Sequence, residues 1–99
     1  MTDLLETTPA ETILNDQKLM VPTTHLNGTS KQSLLDAISN AVHALHEAGS
    51  AVAQTCPNGR DYYPQGDKVI FVALDQHEAR MKKLREVIDE LEQIGMAID

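Results

Sequence analysis

The chain has 99 residues, room for one small domain and not two. Its 8 Lys and Arg stand against 15 Asp and Glu, a formal net charge of −7 with neutral histidines, which excludes the broad basic footprint of a duplex-nucleic-acid binder. One cysteine excludes an internal disulfide or a thiolate zinc cluster, and aromatic content of 3% leaves few large rings to anchor a core.

No apolar run approaches the ~20 residues of a membrane span, and no basic region followed by an apolar stretch opens the chain. The expectation is a soluble, acidic protein of the cytoplasm. Residues 1–25 read as an N-terminal arm. Pro9 and Pro22 interrupt it, its apolar residues come in pairs without a sustained period, and it holds four acids and one base. A short helix or strand over Glu11–Met20, then an extended link set by Pro22, is expected there. Residues 26–99 read as a helical hairpin domain.

The first rod opens at Asn27-Gly28-Thr29-Ser30. Thr29 with Gln32 has capping-box spacing, and Ser30 serves equally well as N-cap. Leu35, Ile38, Val42, Leu45, Gly49, Val52 and Cys56 then recur every three or four residues, a heptad seam that Pro57 ends. The second rod starts near Asp67 as N-cap. Its seam runs Ile70, Leu74, His77, Met81, Leu84, Ile88, Leu91, Gly95, Ile98. Two long heptad rods joined by a loop are expected to lie antiparallel, with Gly49 opposite His77 when counted outward from the loop.

A lone hairpin meets along one stripe, and cores of fewer than ~70–80 residues seldom suffice unaided. Leu34, Ala41, Ala48, Val69, Phe71, Ala73 and Val87 widen the apolar faces beyond what one partner helix covers. Self-association into a homo-oligomer is therefore expected.

Three segments carry candidate chemistry. In the loop Cys56–Gly66, both tyrosines, Arg60 and two prolines fall within about eleven residues, longer than the ~2–8 residues that joining two helices requires. Tyr62 and Tyr63 offer stacking faces for nucleobases, and Arg60 offers a planar fork for phosphate; alternatively the rings plug the hairpin end and Arg60 and Asp61 cap backbone groups. Gly28-Thr29-Ser30-Lys31 sets hydroxyls and an ammonium at a positive helix end, which suits phosphate, although the spacing is not a Walker motif and ordinary capping explains it as well. Arg80-Met81-Lys82-Lys83-Leu84-Arg85 holds four bases, followed by five acids and no base to Asp99. There Lys82 with Glu86 and Arg85 with Asp89 are expected to form a solvated ion-pair face at i,i+4 spacing. An anion pocket shared between subunits is the alternative.

His43, His46 and Glu47 sit on adjacent turns without matching third and fourth ligands, so no metal is expected. His77 reads as a satisfied seam residue. Cys56 has no activating histidine nearby, and no carboxylate pair sits in an apolar setting. No catalytic constellation is found, and no cofactor is implied.

His25-Leu26-Asn27-Gly28-Thr29-Ser30-Lys31, together with the turn Pro57-Asn58-Gly59-Arg60-Asp61-Tyr62-Tyr63, resembles a family of phage anti-defence proteins, the helical-hairpin nucleotide sponges that counter Thoeris and CBASS immunity. The likeness runs from about His25 to Ile94 and is most specific in the loop. It implies a non-enzymatic protein of the infected host's cytoplasm that binds cyclic oligonucleotides or cyclic ADP-ribose isomers, often as a hexamer with ligands enclosed between subunits. Carried onto this chain, it implies that Asn27, Thr29, Ser30 and Lys31 hold phosphates at the helix start, with Asn58, Arg60, Tyr62 and Tyr63 as a second contact region. The competing reading is a phage coiled-coil adaptor with no nucleotide ligand. The two differ in whether purified protein carries a small molecule or a helical protein partner.

Overall fold

The computed structural model describes residues 18–99; the expected arm over residues 1–25 lies outside them as far as residue 17. Two long helices, α1 (Lys31–Ala53) and α2 (Val69–Ala97), pack against each other in a hairpin-like pair, and there is no strand among the described residues. At 1.5 Å per residue they run about 35 and 44 Å.

Ser30 is the N-cap of α1. Its Oγ accepts from the Ser33 N–H at 3.1 Å, satisfying one of the helix's unpaired donors. Gln32 does not complete a capping box with Thr29, because its amide donates forward to Asp36 at 2.7 Å. The helix ends three residues before the expected Cys56. The N–H groups of Gln54, Thr55 and Cys56 donate to Ala51, Val52 and Ala53, each a tighter i→i−3 bond, and Pro57 supplies no N–H to continue. Cys56 is therefore exposed rather than in the seam.

The connection contains two short 3-10 turns, Gly59–Asp61 and Tyr63–Gln65, which account for its length. Gly66 follows at φ 129°, ψ 154°, a backbone conformation open essentially to glycine alone. Asp67 does not cap α2. Lys68 occupies that position, with no side-chain cap bond.

The seam is thin. Among the described residues the apolar side chains of low exposure are Ala73, Ile88 and Ile98, at 9%, 9% and 6%, and no large side chain is fully buried. Leu34, Leu35, Ile38, Ala41, Val42, Leu45, Gly49 and Val52 of α1 are half-buried, as are Ile70, Met81, Leu84, Leu91, Ile94 and Gly95 of α2. Gly95 faces Ile38: a Cβ there would stand 3.5 Å from Ile38 Cγ2, an ordinary contact.

Two seam expectations fail near the loop. Leu74 is exposed, and its neighbour Ala73 turns inward instead, where α2 has passed the end of α1 and meets the Tyr63–Gln65 turn. Gly49 does not oppose His77. Nothing lies within 4 Å of where its Cβ would be, and it shares an open groove of about 410 Å³ with Leu45, Met81, Leu84 and Ile88. His77 is buried at 8% exposure, but its Nδ1 has no hydrogen-bond partner among the described residues, so it is not the satisfied seam residue expected.

Candidate functional site

The residues expected to bind a ligand fall into two clusters. The first surrounds the start of α1. His25-Leu26-Asn27-Gly28 is a turn closed by the Gly28 N–H donating to the His25 carbonyl at 3.1 Å. The His25 ring folds over Gly28, its Nε2 2.6 Å from where a Cβ would stand, a contact that turning the exposed ring would relieve. The imidazole thus joins Asn27, Thr29, Ser30 and Lys31 at the helix entrance, an addition that a residue-by-residue reading of caps does not find. Asn27, Thr29, Ser30 and Lys31 are all exposed. Ser30 Oγ also donates to Ser33 Oγ at 3.0 Å, so this hydroxyl is committed to the cap. Thr29 Oγ and the Lys31 ammonium make no side-chain hydrogen bond among the described residues.

A segment without regular secondary structure ties this entrance to the end of α2. Thr24 Oγ1 donates to the Asp99 carbonyl at 3.3 Å, and Val21, Pro22 and Thr23 line a cavity of about 370 Å³ with Ala97 and Asp99.

The second cluster is the loop. Asn58 is half-buried and donates from Nδ2 to Asp61 Oδ2 at 2.9 Å, which sets the first 3-10 turn. Its Oδ1 is buried without a partner. With its amide committed to Asp61 and its oxygen buried, Asn58 shapes the turn that carries Arg60. Arg60 is exposed with no ion-pair partner among the described residues; Tyr62 is half-buried and Tyr63 is 70% exposed. One ring packs while the other is open for stacking. Asp61 pairs with Asn58 rather than capping backbone.

The clusters do not meet within one chain. All of α1 lies between Lys31 and Arg60, about 35 Å of helix, and no small nucleotide spans that distance.

The basic run of α2 is arranged differently from the expected i,i+4 ladder. Arg85 reaches back two turns to Glu78, Nη2 to Oε2 at 3.0 Å, rather than forward to Asp89, and among the described residues Lys82 and Glu86 form no ion pair. Helical side chains lean toward the N-terminus, which favours the backward reach for a long Arg. His46, Lys82, Arg85, Glu86, Asp89 and Glu92 rim an open cleft of about 510 Å³, its bases offset by its acids. His43 Nε2 lies 3.5 Å from Glu47 Oε2, and no three metal-ligating side chains gather among the described residues. No helix among them is long and apolar enough to cross a membrane.

No known protein family, curated protein or solved structure matches the chain.

Proposed function

We propose that the chain is an antiparallel helical hairpin that self-associates, and that the assembly binds cyclic nucleotide second messengers, cyclic oligonucleotides or cyclic ADP-ribose isomers, and withholds them without cleaving them. The approach of Gly95 to Ile38, and the bond from Thr24 to Asp99, support the antiparallel pairing, since each joins the start of α1 to the end of α2. The thin seam supports association: with no large side chain fully buried among the described residues, a solitary pair leaves most of its apolar surface wet.

The observation that carries the binding role is the separation of Lys31 from Arg60 by the length of α1. A second chain lying alongside in the opposite sense brings the helix entrance of one copy to the loop of the other. Symmetry then repeats the pair, giving a cationic cleft on a chain of net charge −7. In that cleft Lys31, Thr29 and the first N–H groups of α1 take phosphate, with Asn27 beside them and Ser30 fixing the cap. Arg60 takes the second phosphate. Tyr63 stacks on a base beside Tyr62, and Asn58, bonded to Asp61, fixes the turn that carries Arg60. Such a protein needs affinity and numbers rather than proton transfer, and as a phage sponge against Thoeris or CBASS it acts in the host cytoplasm by mass action.

Calorimetric titration with cyclic dinucleotides and a cyclic ADP-ribose isomer tests this. Saturable binding is expected, with the ligand recovered intact, and Lys31→Ala and Arg60→Ala each weakening it about tenfold or more. Unchanged affinity in both variants, or a cleaved product, contradicts the reading.

The adaptor reading, a coiled-coil protein with no nucleotide ligand, is favoured by one feature: Phe71, Val72 and Leu74 are exposed at 63%, 56% and 37% on the loop end of α2, where α1 no longer accompanies it. Absence of nucleotide binding, with a helical partner masking Phe71, would select it.

A further inference from the structure

α2 carries a second stripe beside the one that meets α1. Arg80, Lys83, Val87, Glu90 and Ile94 recur at spacings of three and four, so they share one face. Each immediately precedes a residue of the inward face (Met81, Leu84, Ile88, Leu91, Gly95), which rotates the stripe by about 100° from the seam. Arg80, Lys83 and Glu90 are exposed, Val87 is 46% exposed and Ile94 is half-buried. Among the described residues neither Lys83 nor Glu90 has an ion-pair partner.

The order of charge along this stripe is what matters. Lys83 lies one turn and Arg80 two turns to the loop side of Val87, and Glu90 lies one turn to the far side. Such an arrangement is complementary to itself only when reversed. A second α2 laid parallel and in register sets Lys83 against Lys83 and Glu90 against Glu90. Turned end for end about a two-fold level with Val87, it sets Lys83 beside the partner's Glu90, twice by symmetry, and Val87 on the partner's Val87. The same operation lays the aliphatic stem of Arg80 over the partner's Ile94, covering a side chain that α1 only half covers.

We propose that this stripe is the surface on which a second copy of the chain docks, α2 antiparallel to α2 about Val87. The proposal rests on the self-association proposed above and names the face that performs it. Mutual repulsion between chains of net charge −7 opposes any association, and alternating base and acid at the contact offsets it locally. The overlap runs over residues 77–97, about 32 Å of helix.

Sedimentation of the full chain tests this with Lys83→Glu, Glu90→Lys, their equimolar mixture and the double variant. Circular dichroism is run on each, both sites being on an exposed face. Each single reversal turns two attractions into two repulsions and is expected to weaken association about tenfold, less at high salt. The mixture and the double variant, which restore opposite charges across the contact, are expected to recover it. Single variants that associate like an oligomeric wild type, or singles that weaken without rescue in the mixture, overturn this surface and leave self-association standing. A monomeric wild type overturns both.

Discussion

Gly49 stands in the open groove between α1 and α2, where a single substitution reports whether anything fills that groove. It lies inside α1 with helical neighbours on both sides, and a Cβ added there meets no atom within 4 Å. Gly49→Ala therefore gains helix propensity with no steric cost and no new packing. The propensity difference is about 0.8–1.0 kcal/mol. For a domain of this size, 1 kcal/mol moves the melting temperature by about 4–8 °C. A rise of about 5 °C is expected by circular dichroism at 222 nm, scanned at two protein concentrations to separate folding from association. Gly49→Leu extends the test, because its side chain enters the groove beside Leu45, Met81, Leu84 and Ile88. It is expected to stabilise at least as much by covering those residues. A fall in melting temperature for Gly49→Ala would refute the reasoning. It would mean that atoms of another subunit fill the groove, so that the interface includes the α1–α2 cleft and not only the outer face of α2.

Gly66→Ala is expected to lower stability by about 1–3 kcal/mol, because φ 129° with ψ 154° strains any side chain; a thermal melt within 1 °C of wild type would show that the loop relaxes instead. His77→Leu is expected to raise stability by about 1 kcal/mol, since it removes a buried Nδ1 that finds no partner among the described residues while keeping a similar volume; a lower chemical-denaturation midpoint would show that this nitrogen is satisfied in the assembly.

The rods were legible because apolar residues three and four apart are nearly all that a long amphipathic helix needs, and both ran close to their expected extents. Their ends were less so. Cys56 fits the heptad as well as Val52 does, but Pro57 and the i→i−3 bonds of Gln54–Cys56 depend on backbone geometry that a periodic pattern does not register. Asp67 has the chemistry of a cap, yet the turn at Gly66 delays α2 until Val69. Register was the larger miss. Counting from the loop put Gly49 against His77, whereas the 3-10 turns take up that end of α2 and Gly49 falls beside Met81 and Leu84. Of the candidate site, Ser30 was readable as a cap and the loop as a structured segment. The His25 ring over Gly28 and the commitment of the Asn58 amide to Asp61 were not, because both follow from side-chain directions within turns.

Native mass spectrometry of the purified 99-residue chain tests assembly and ligand binding most directly, since one spectrum reports both subunit number and bound small molecules. The expected result is an assembly of two or more 10.9 kDa chains, retaining phosphorylated ligand after titration with a cyclic dinucleotide and releasing it intact on denaturation. A single 10.9 kDa chain carrying nothing, at micromolar concentration and moderate salt, would contradict it.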